Sequence, residues 1–286
     1  MKLIKYFFQF LIISFLLIIF KLLGLKNGSK FGHLVGTLLG PFFRSKKKIV
    51  SNIKKAIPNI DETNLKKILK NMWGNYGRIL SEYTFIKKFR NSKNENLVSI
   101  EGKEILKEII DSNKPVVFIS GHFNNFELMA MHIEKSGVNL AAIYRPLNNI
   151  FLNKIMERIR IKYICKKQIK KGRSGTRELL ESFKNNCSVA LMIDQRVSEG
   201  IKSNLFGQPA LTTTIPGQLV KKFNCKVVPI YIERINDICF KIKVHKPISY
   251  DKTTSIEEIT LDLNKWLEKM ILINPDQWIW THDRWK

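Results

Sequence analysis

Nothing in this chain supplies a nucleophile elbow, a nucleotide-phosphate loop or a metal set. The stretch Gly172-Arg173-Ser174-Gly175 has the wrong spacing for G-x-S-x-G and no strand in front of it. A Walker A loop, a dinucleotide glycine fingerprint and an H-E-x-x-H helix are also missing. The four cysteines, Cys165, Cys187, Cys225 and Cys239, form no C-x-x-C pair and keep no metal-type spacing with histidine. No metal and no cofactor is therefore expected. Buried free thiols in a reducing compartment are the reading that follows, with the even count leaving a disulfide open. Acidic residues are scarce: 24 Asp and Glu stand against 49 Lys and Arg, a net charge of +25. Part of that excess goes with a Lys-, Ile- and Asn-rich composition, but its sign still favours anionic partners such as phospholipid headgroups, phosphorylated glycolipids, acidic carrier proteins or nucleic acid. No nucleic-acid recognition motif accompanies it and the apolar N-terminus has no place in such a protein, so no nucleic-acid partner is expected.

What is present begins with an apolar run. From Tyr6 to Leu25 the chain reads YFFQFLIISFLLIIFKLLGL, with Lys2 and Lys5 before it. That is about the 20 residues a bilayer-crossing helix needs. The following Lys26-Asn27-Gly28-Ser29-Lys30 offers no A-x-A cleavage pattern, so a retained anchor is expected, either spanning or lying in the interface with Lys21 snorkelling. Residues 31–43 (FGHLVGTLLGPFF) are apolar but short and Gly-rich, and run into Arg44, Lys46, Lys47 and Lys48. They suit a membrane interface or a helix packed on the body. Asp61 can cap a helix carrying Leu65, Ile68, Leu69, Met72, Tyr76 and Ile79 at helical spacing.

From Lys114 onward, short apolar runs alternate with helical segments, the mark of βα units. Strands are expected at 115–120, 139–144 and 188–193, with helices at 125–134, 173–183 and 255–273. Segments 226–233 and 238–244 read as an antiparallel pair around Asn236-Asp237. The fold class is α/β: a central, mostly parallel or mixed sheet flanked by helices, with an N-terminal membrane-anchoring helix. Three regions follow, an anchor at 1–25, a helical membrane-proximal segment at 26–112 and an α/β core at 113–286.

Ser120-Gly121-His122-Phe123-Asn124-Asn125-Phe126-Glu127 sits where a parallel-type strand ends and a helix begins, the place where open α/β sheets bind ligands. On one continuous helix a five-residue separation would turn His122 and Glu127 about 140° apart. The pair converges only if His122 lies in the turn before the helix, which Gly121 and Asn124-Asn125 favour. In that arrangement Glu127 holds one ring nitrogen and the other removes a proton from an attacking hydroxyl, general-base catalysis of acyl transfer without an acyl-enzyme.

With that motif stand Tyr144-Arg145-Pro146, Arg173 ahead of a helix, Asp194-Gln195 after a strand, Phe206-Gly207 with 210–214 (ALTTT), and the closing 275–282 (PDQWIWTH). In this order they resemble the bacterial lipid A biosynthesis lauroyl and myristoyl acyltransferases, within the glycerolipid acyltransferase superfamily, over almost the whole chain. The resemblance implies His122 as base and Glu127 as its acidic partner. It further implies an acyl carrier protein thioester as donor and a Kdo-lipid A precursor as acceptor, with inner-membrane phospholipids around the site, at the cytoplasmic face of the bacterial inner membrane. Arg145 and Arg173 would then be anion contacts to phosphate, Kdo carboxylate or phosphopantetheine, or else members of structural ion pairs. Asp194 and Gln195, at a strand end on the His122 edge of the sheet, would line the acceptor pocket or brace one of those arginines. Gly207 and the threonine run either admit substrate to the backbone or turn the chain into a β segment. Because the dyad serves any hydroxyl, another glycolipid such as a phosphatidylinositol mannoside, or a lysolipid, is an alternative acceptor. A catalytically silent membrane-binding relative is the alternative outside the enzymes.

Overall fold

The computed structural model of the chain describes residues 2–91 and 97–286. Helix α1 (Lys2–Leu39) is broken at Gly24, whose φ of 76° and ψ of 170° put it in a conformation that glycine adopts without a Cβ clash. Ahead of the break the helix is long and apolar enough to cross a membrane, and Leu3, Ile4, Phe8, Ile12, Phe15, Ile18 and Leu22 are exposed. After the break α1 lies along α3 (Glu62–Glu82), with α2 (Lys46–Ala56) between them in sequence. Gly28, Gly32 and Gly36 on α1 and Gly40 just beyond it recur every four residues, opposite Gly74 and Gly77 of α3. A Cβ on Gly77 would lie 1.8 Å from the Gly32 carbonyl oxygen, and one on Gly36 would lie 2.2 Å from that of Trp73. The two backbones are thus in direct contact, as small residues at this spacing allow. Residues 31–43 join both expectations: one face packs on α3 while Leu34, Leu38, Leu39, Phe42 and Phe43 stay exposed. Asp61 caps α3, accepting from the Asn64 N–H at 2.8 Å, and Leu65, Ile68 and Met72 are buried beneath it.

Beyond α4 (Ile86–Asn91), the chain forms β1 (Val98–Glu101), α5 (Lys103–Ser112), β2 (Val117–Ser120), α6 (Glu127–Lys135), β3 (Leu140–Tyr144) and α7 (Ile150–Ile159). It continues through β4 (Lys167–Lys170), α8 (Arg173–Lys184), β5 (Ser188–Met192), β6 (Ile201–Leu205), β7 (Gln208–Thr212) and α9 (Ile215–Phe223). It closes with β8 (Val227–Asn236), β9 (Cys239–Val244) and α10 (Ile256–Ile273). The main sheet has the order β1-β9-β8-β2-β5-β3-β4, parallel throughout except for the antiparallel β8–β9 pair. All four residues of β2 are buried, as the uninterrupted apolar run demands of a central strand covered on both faces. β1 and α5 fall inside the stretch expected to be wholly helical, and β1 adds an edge strand to the sheet through β9. β4 at the other edge is too polar (KQIK) to stand out in the sequence.

β6 and β7 form a separate hairpin. Phe206 and Gly207 both have positive φ, 53° and 69°, as a two-residue hairpin turn requires. Gly207 thus turns the chain into a β segment. The four cysteines are free, Cys165 and Cys187 buried and the other two half-buried.

Candidate active site

β2 and β5 are neighbours in parallel register, Ser120 opposite Met192, and each strand ends there. Two residues beyond each end stand His122 and Asp194. The shared register brings them side by side, and the Ile193 N–H donates to the Ser120 carbonyl at 2.9 Å to keep the two exits together. Asp194 Oδ1 lies 2.7 Å from His122 Nδ1, and Asp194 Oδ2 accepts from the His122 backbone N–H at 2.7 Å. The Trp278 indole N–H donates to the same Oδ2 at 2.9 Å. Burial alone would raise the Asp194 carboxyl, but the His122 ring and these hydrogen bonds outweigh it and hold the group at about 2. An ionised Asp194 accepts the hydrogen bond of Nδ1–H, which keeps the proton on Nδ1 and leaves the lone pair on Nε2. Gln195 Nε2 is 3.2 Å from that nitrogen.

The carboxylate on the histidine ring is therefore that of Asp194, which corrects the expected His122–Glu127 pairing. His122 does lie in the turn before the helix, as anticipated, but Glu127 is the first residue of α6 and faces another set of partners. Its Oε1 accepts from Arg160 Nε at 2.9 Å and Nη2 at 2.5 Å, and from the Tyr83 hydroxyl. Burial and the Glu127 charge push the Tyr83 phenol up, so it stays a donor. Burial works against the Arg160 charge, yet Glu127 and Tyr83 hold the guanidinium more firmly protonated than usual. Arg160 Nη1 is left buried and without a partner among the described residues.

His122, Glu127, Arg160 and Gln195 line one cavity of about 420 Å³. Its inner wall is apolar, built from Phe118, Met129, Ile133, Ile143, Leu191 and Ile230. Arg145 and Lys171 are also part of the lining, as is His282. Burial lowers the Lys171 ammonium, with neighbouring Arg145 adding to the effect. Burial likewise lowers His282, against the pull of Asp194, and the charges of His122, Arg44 and Arg145 push it further down. Of the residues singled out in the sequence, the structure brings His122, Glu127, Arg145 and Gln195 to this cavity and sets Asp194 behind the ring. Arg173 opens α8, and its side chain lies outside the described part of the chain. The arrangement can accept a proton from a hydroxyl at Nε2 beside a cavity suited to a hydrocarbon chain, with cations for an anionic group.

Comparison with known proteins decides the family, because residues 1–286 match the bacterial lipid A biosynthesis acyltransferase model over the full chain. The chain belongs to that family. Among its relatives, the lipid A biosynthesis palmitoleoyltransferase of Escherichia coli (strain K12) is 22% identical over 261 residues, covering 89% of this chain and 83% of the relative. A lipid A biosynthesis acyltransferase of Shigella flexneri shows the same identity and coverage. The lipid A biosynthesis acyltransferase 2 of Shigella flexneri is 21% identical over 259 residues, covering 88% and 80%.

In this member of the family the closing 275–282 segment, a motif without a role in the sequence, braces the histidine turn. Phe123 pairs with Trp278 in an antiparallel bridge, and the Asn124 N–H donates to the Gln277 carbonyl at 2.7 Å. Asn124 takes φ 38°, a left-handed value that asparagine tolerates. Beneath the turn Glu82, fully buried, accepts from Arg234 Nη1 at 2.6 Å, Asn125 Nδ2 at 2.9 Å and the Ser29 hydroxyl at 2.9 Å. One carboxylate thus ties α1, α3, β8 and the histidine turn together. Sequence reasoning missed Tyr83, Arg160, Lys171 and Glu82 as site residues. Nothing in their local sequence marks them, since each reaches the site only through tertiary contacts.

Proposed function

We propose that this chain transfers a fatty acyl group from an acyl carrier protein thioester to a hydroxyl of a Kdo-lipid A precursor, at the cytoplasmic face of the inner membrane. The observation that carries the reading is His122, its Nδ1 held by a buried carboxylate at 2.7 Å and the residue itself lining a largely apolar cavity. The acceptor hydroxyl takes the place of the Gln195 amide at Nε2. His122 removes its proton as the oxygen attacks the thioester carbonyl carbon. The new C–O bond forms, the C–S bond breaks, and the imidazolium returns its proton to the departing thiolate. Asp194 stabilises the imidazolium in between.

Glu127 enters through Arg160, which it orients, and the unpartnered Arg160 Nη1 offers an N–H to the thioester oxygen as it gains charge. Arg145 and Lys171, both lining the cavity, take the acceptor's anionic groups or the carrier's phosphopantetheine, and Arg173 is assigned to the same set on the family resemblance alone. The basic net charge suits an acidic carrier protein and an anionic membrane.

Mass spectrometry of lipids from cells with and without the gene tests the reaction. The expected result is lipid A heavier by one acyl group in the presence of the wild-type chain and not with His122→Ala. An unchanged lipid A profile overturns the acceptor, and full activity of His122→Ala in vitro overturns the mechanism.

A further inference from the structure

A second cavity, of about 300 Å³, lies where the end of α1 meets α2 and α3, and no step of the reaction uses it. Arg44, Lys46, Lys66 and Lys70 line it, and among the described residues no acidic one does. None of these four cations has an ion-pair partner among the described residues. Four unpaired positive charges around one cavity repel one another unless an anion sits among them. Its remaining wall is apolar, chiefly Leu69 and Trp73. Thr37 also lines it, and its hydroxyl oxygen is buried without a hydrogen-bond partner among the described residues. A ligand with an anionic oxygen cluster and an attached apolar body fits this combination. A bare phosphate would leave the apolar wall wet.

The surroundings say where that ligand comes from. Immediately ahead of Arg44 in the chain, Leu38, Leu39, Phe42 and Phe43 are 60%, 50%, 86% and 72% exposed. Such a row of large apolar side chains belongs in hydrocarbon, and it follows directly from the apolar helix. With those side chains in the acyl region, the cations stand at headgroup depth. We propose that this cavity is a binding site for the headgroup phosphate of an anionic glycerophospholipid of the bilayer, its glycerol and first methylenes lying against Leu69 and Trp73. The site is separate from the His122 cavity, so it holds whichever acceptor the enzyme uses.

The test is native mass spectrometry of the full-length protein released from detergent micelles, titrated with phosphatidylglycerol or phosphatidylcholine. The wild-type chain is expected to retain one phosphatidylglycerol and to prefer it over phosphatidylcholine. Lys66→Gln/Lys70→Gln should weaken that retention roughly tenfold or more, given the strength of a lysine near an anionic headgroup. The charge-matched control Lys107→Gln/Lys184→Gln, on α5 and α8, should stay within about twofold of wild type, since it removes equal charge outside the cavity. In lipid-free detergent the α3 double variant should melt at or above the wild-type temperature, because mutual repulsion is relieved. Equal loss in the control variant would reduce the effect to diffuse charge and overturn the proposal. So would unchanged retention in the α3 variant, or equal retention of phosphatidylcholine by the wild type. A raised KM for the acylated acceptor with phosphatidylglycerol retention intact would assign the cavity to the substrate's own phosphate, and also overturns it.

Discussion

Asp194 holds His122 at two points, the ring Nδ1 on one carboxylate oxygen and the backbone N–H on the other, each at 2.7 Å. The second contact fixes the position of the residue and the first fixes its tautomer. In Asp194→Asn the amide oxygen can still accept the backbone N–H, but the amide nitrogen then donates to Nδ1. That moves the ring proton to Nε2 and removes the base. We expect kcat to fall by roughly 10²–10⁴, with a circular dichroism spectrum and membrane binding like those of the wild type. A kcat within tenfold of wild type would show that Asp194 is not the partner that matters.

Glu127→Gln separates the second carboxylate from the first. It leaves the Arg160 guanidinium buried without its counter-charge, a change that costs about 3–5 kcal/mol. For a chain of this size, that lowers the melting temperature by on the order of 10 °C. Thermal denaturation in detergent measures it. If Glu127→Gln melts with the wild type, the Arg160 pair is not stabilising the site.

Gly77→Ala reverses the usual rule for helices. On an isolated helix alanine is better than glycine by about 1 kcal/mol. Here the new methyl would sit 1.8 Å from the Gly32 carbonyl oxygen, backbone that cannot turn aside. We expect a net loss of about 1–3 kcal/mol and looser attachment of α1, read as faster proteolysis between Gly24 and Gly40. Unchanged stability and proteolysis would mean that the two backbones are not in contact.

His132, buried in α6, gives a pH dependence with a definite sign. Burial, then the charges of Lys135 and Arg90, lower its pKa from 6.5 to about 4. Between those values the unfolded chain takes up a proton that the folded chain refuses. Stability conferred by the neutral ring is therefore complete above about 6.5 and declines as the pH falls toward 4, by up to about 3 kcal/mol. His132→Met should flatten the melting temperature against pH over that window. An equally steep profile in the variant would place the dependence elsewhere.

The strands and helices from Lys114 onward were legible because their signals are local: β2 is a continuous apolar run, and α10 has apolar residues at helical spacing. β4 was not, since KQIK joins the sheet only because β3 offers it a free edge. β1 was hidden in the same way, being four residues completed by β9. At the site, His122 was legible from the strand-to-helix turn and Asp194 from its place at another strand end. Their pairing was not, because it depends on β2 and β5 being neighbours in register, which no spacing within either segment encodes. Spacing instead pointed to Glu127, five residues away in the chain, and the fold gave that carboxylate to Arg160 and Tyr83.

The sequence by itself determined the apolar helix, the alternation of strand and helix, the basic charge and the histidine at a strand end, each a property of residues close together in the chain. Only the tertiary structure decided which carboxylate orients His122, that the closing Trp278 holds that carboxylate, and that the packing of α1, α2 and α3 gathers Arg44, Lys46, Lys66 and Lys70 around one cavity. Those contacts join residues far apart in sequence, and the packing of strands and helices alone sets the distances between them.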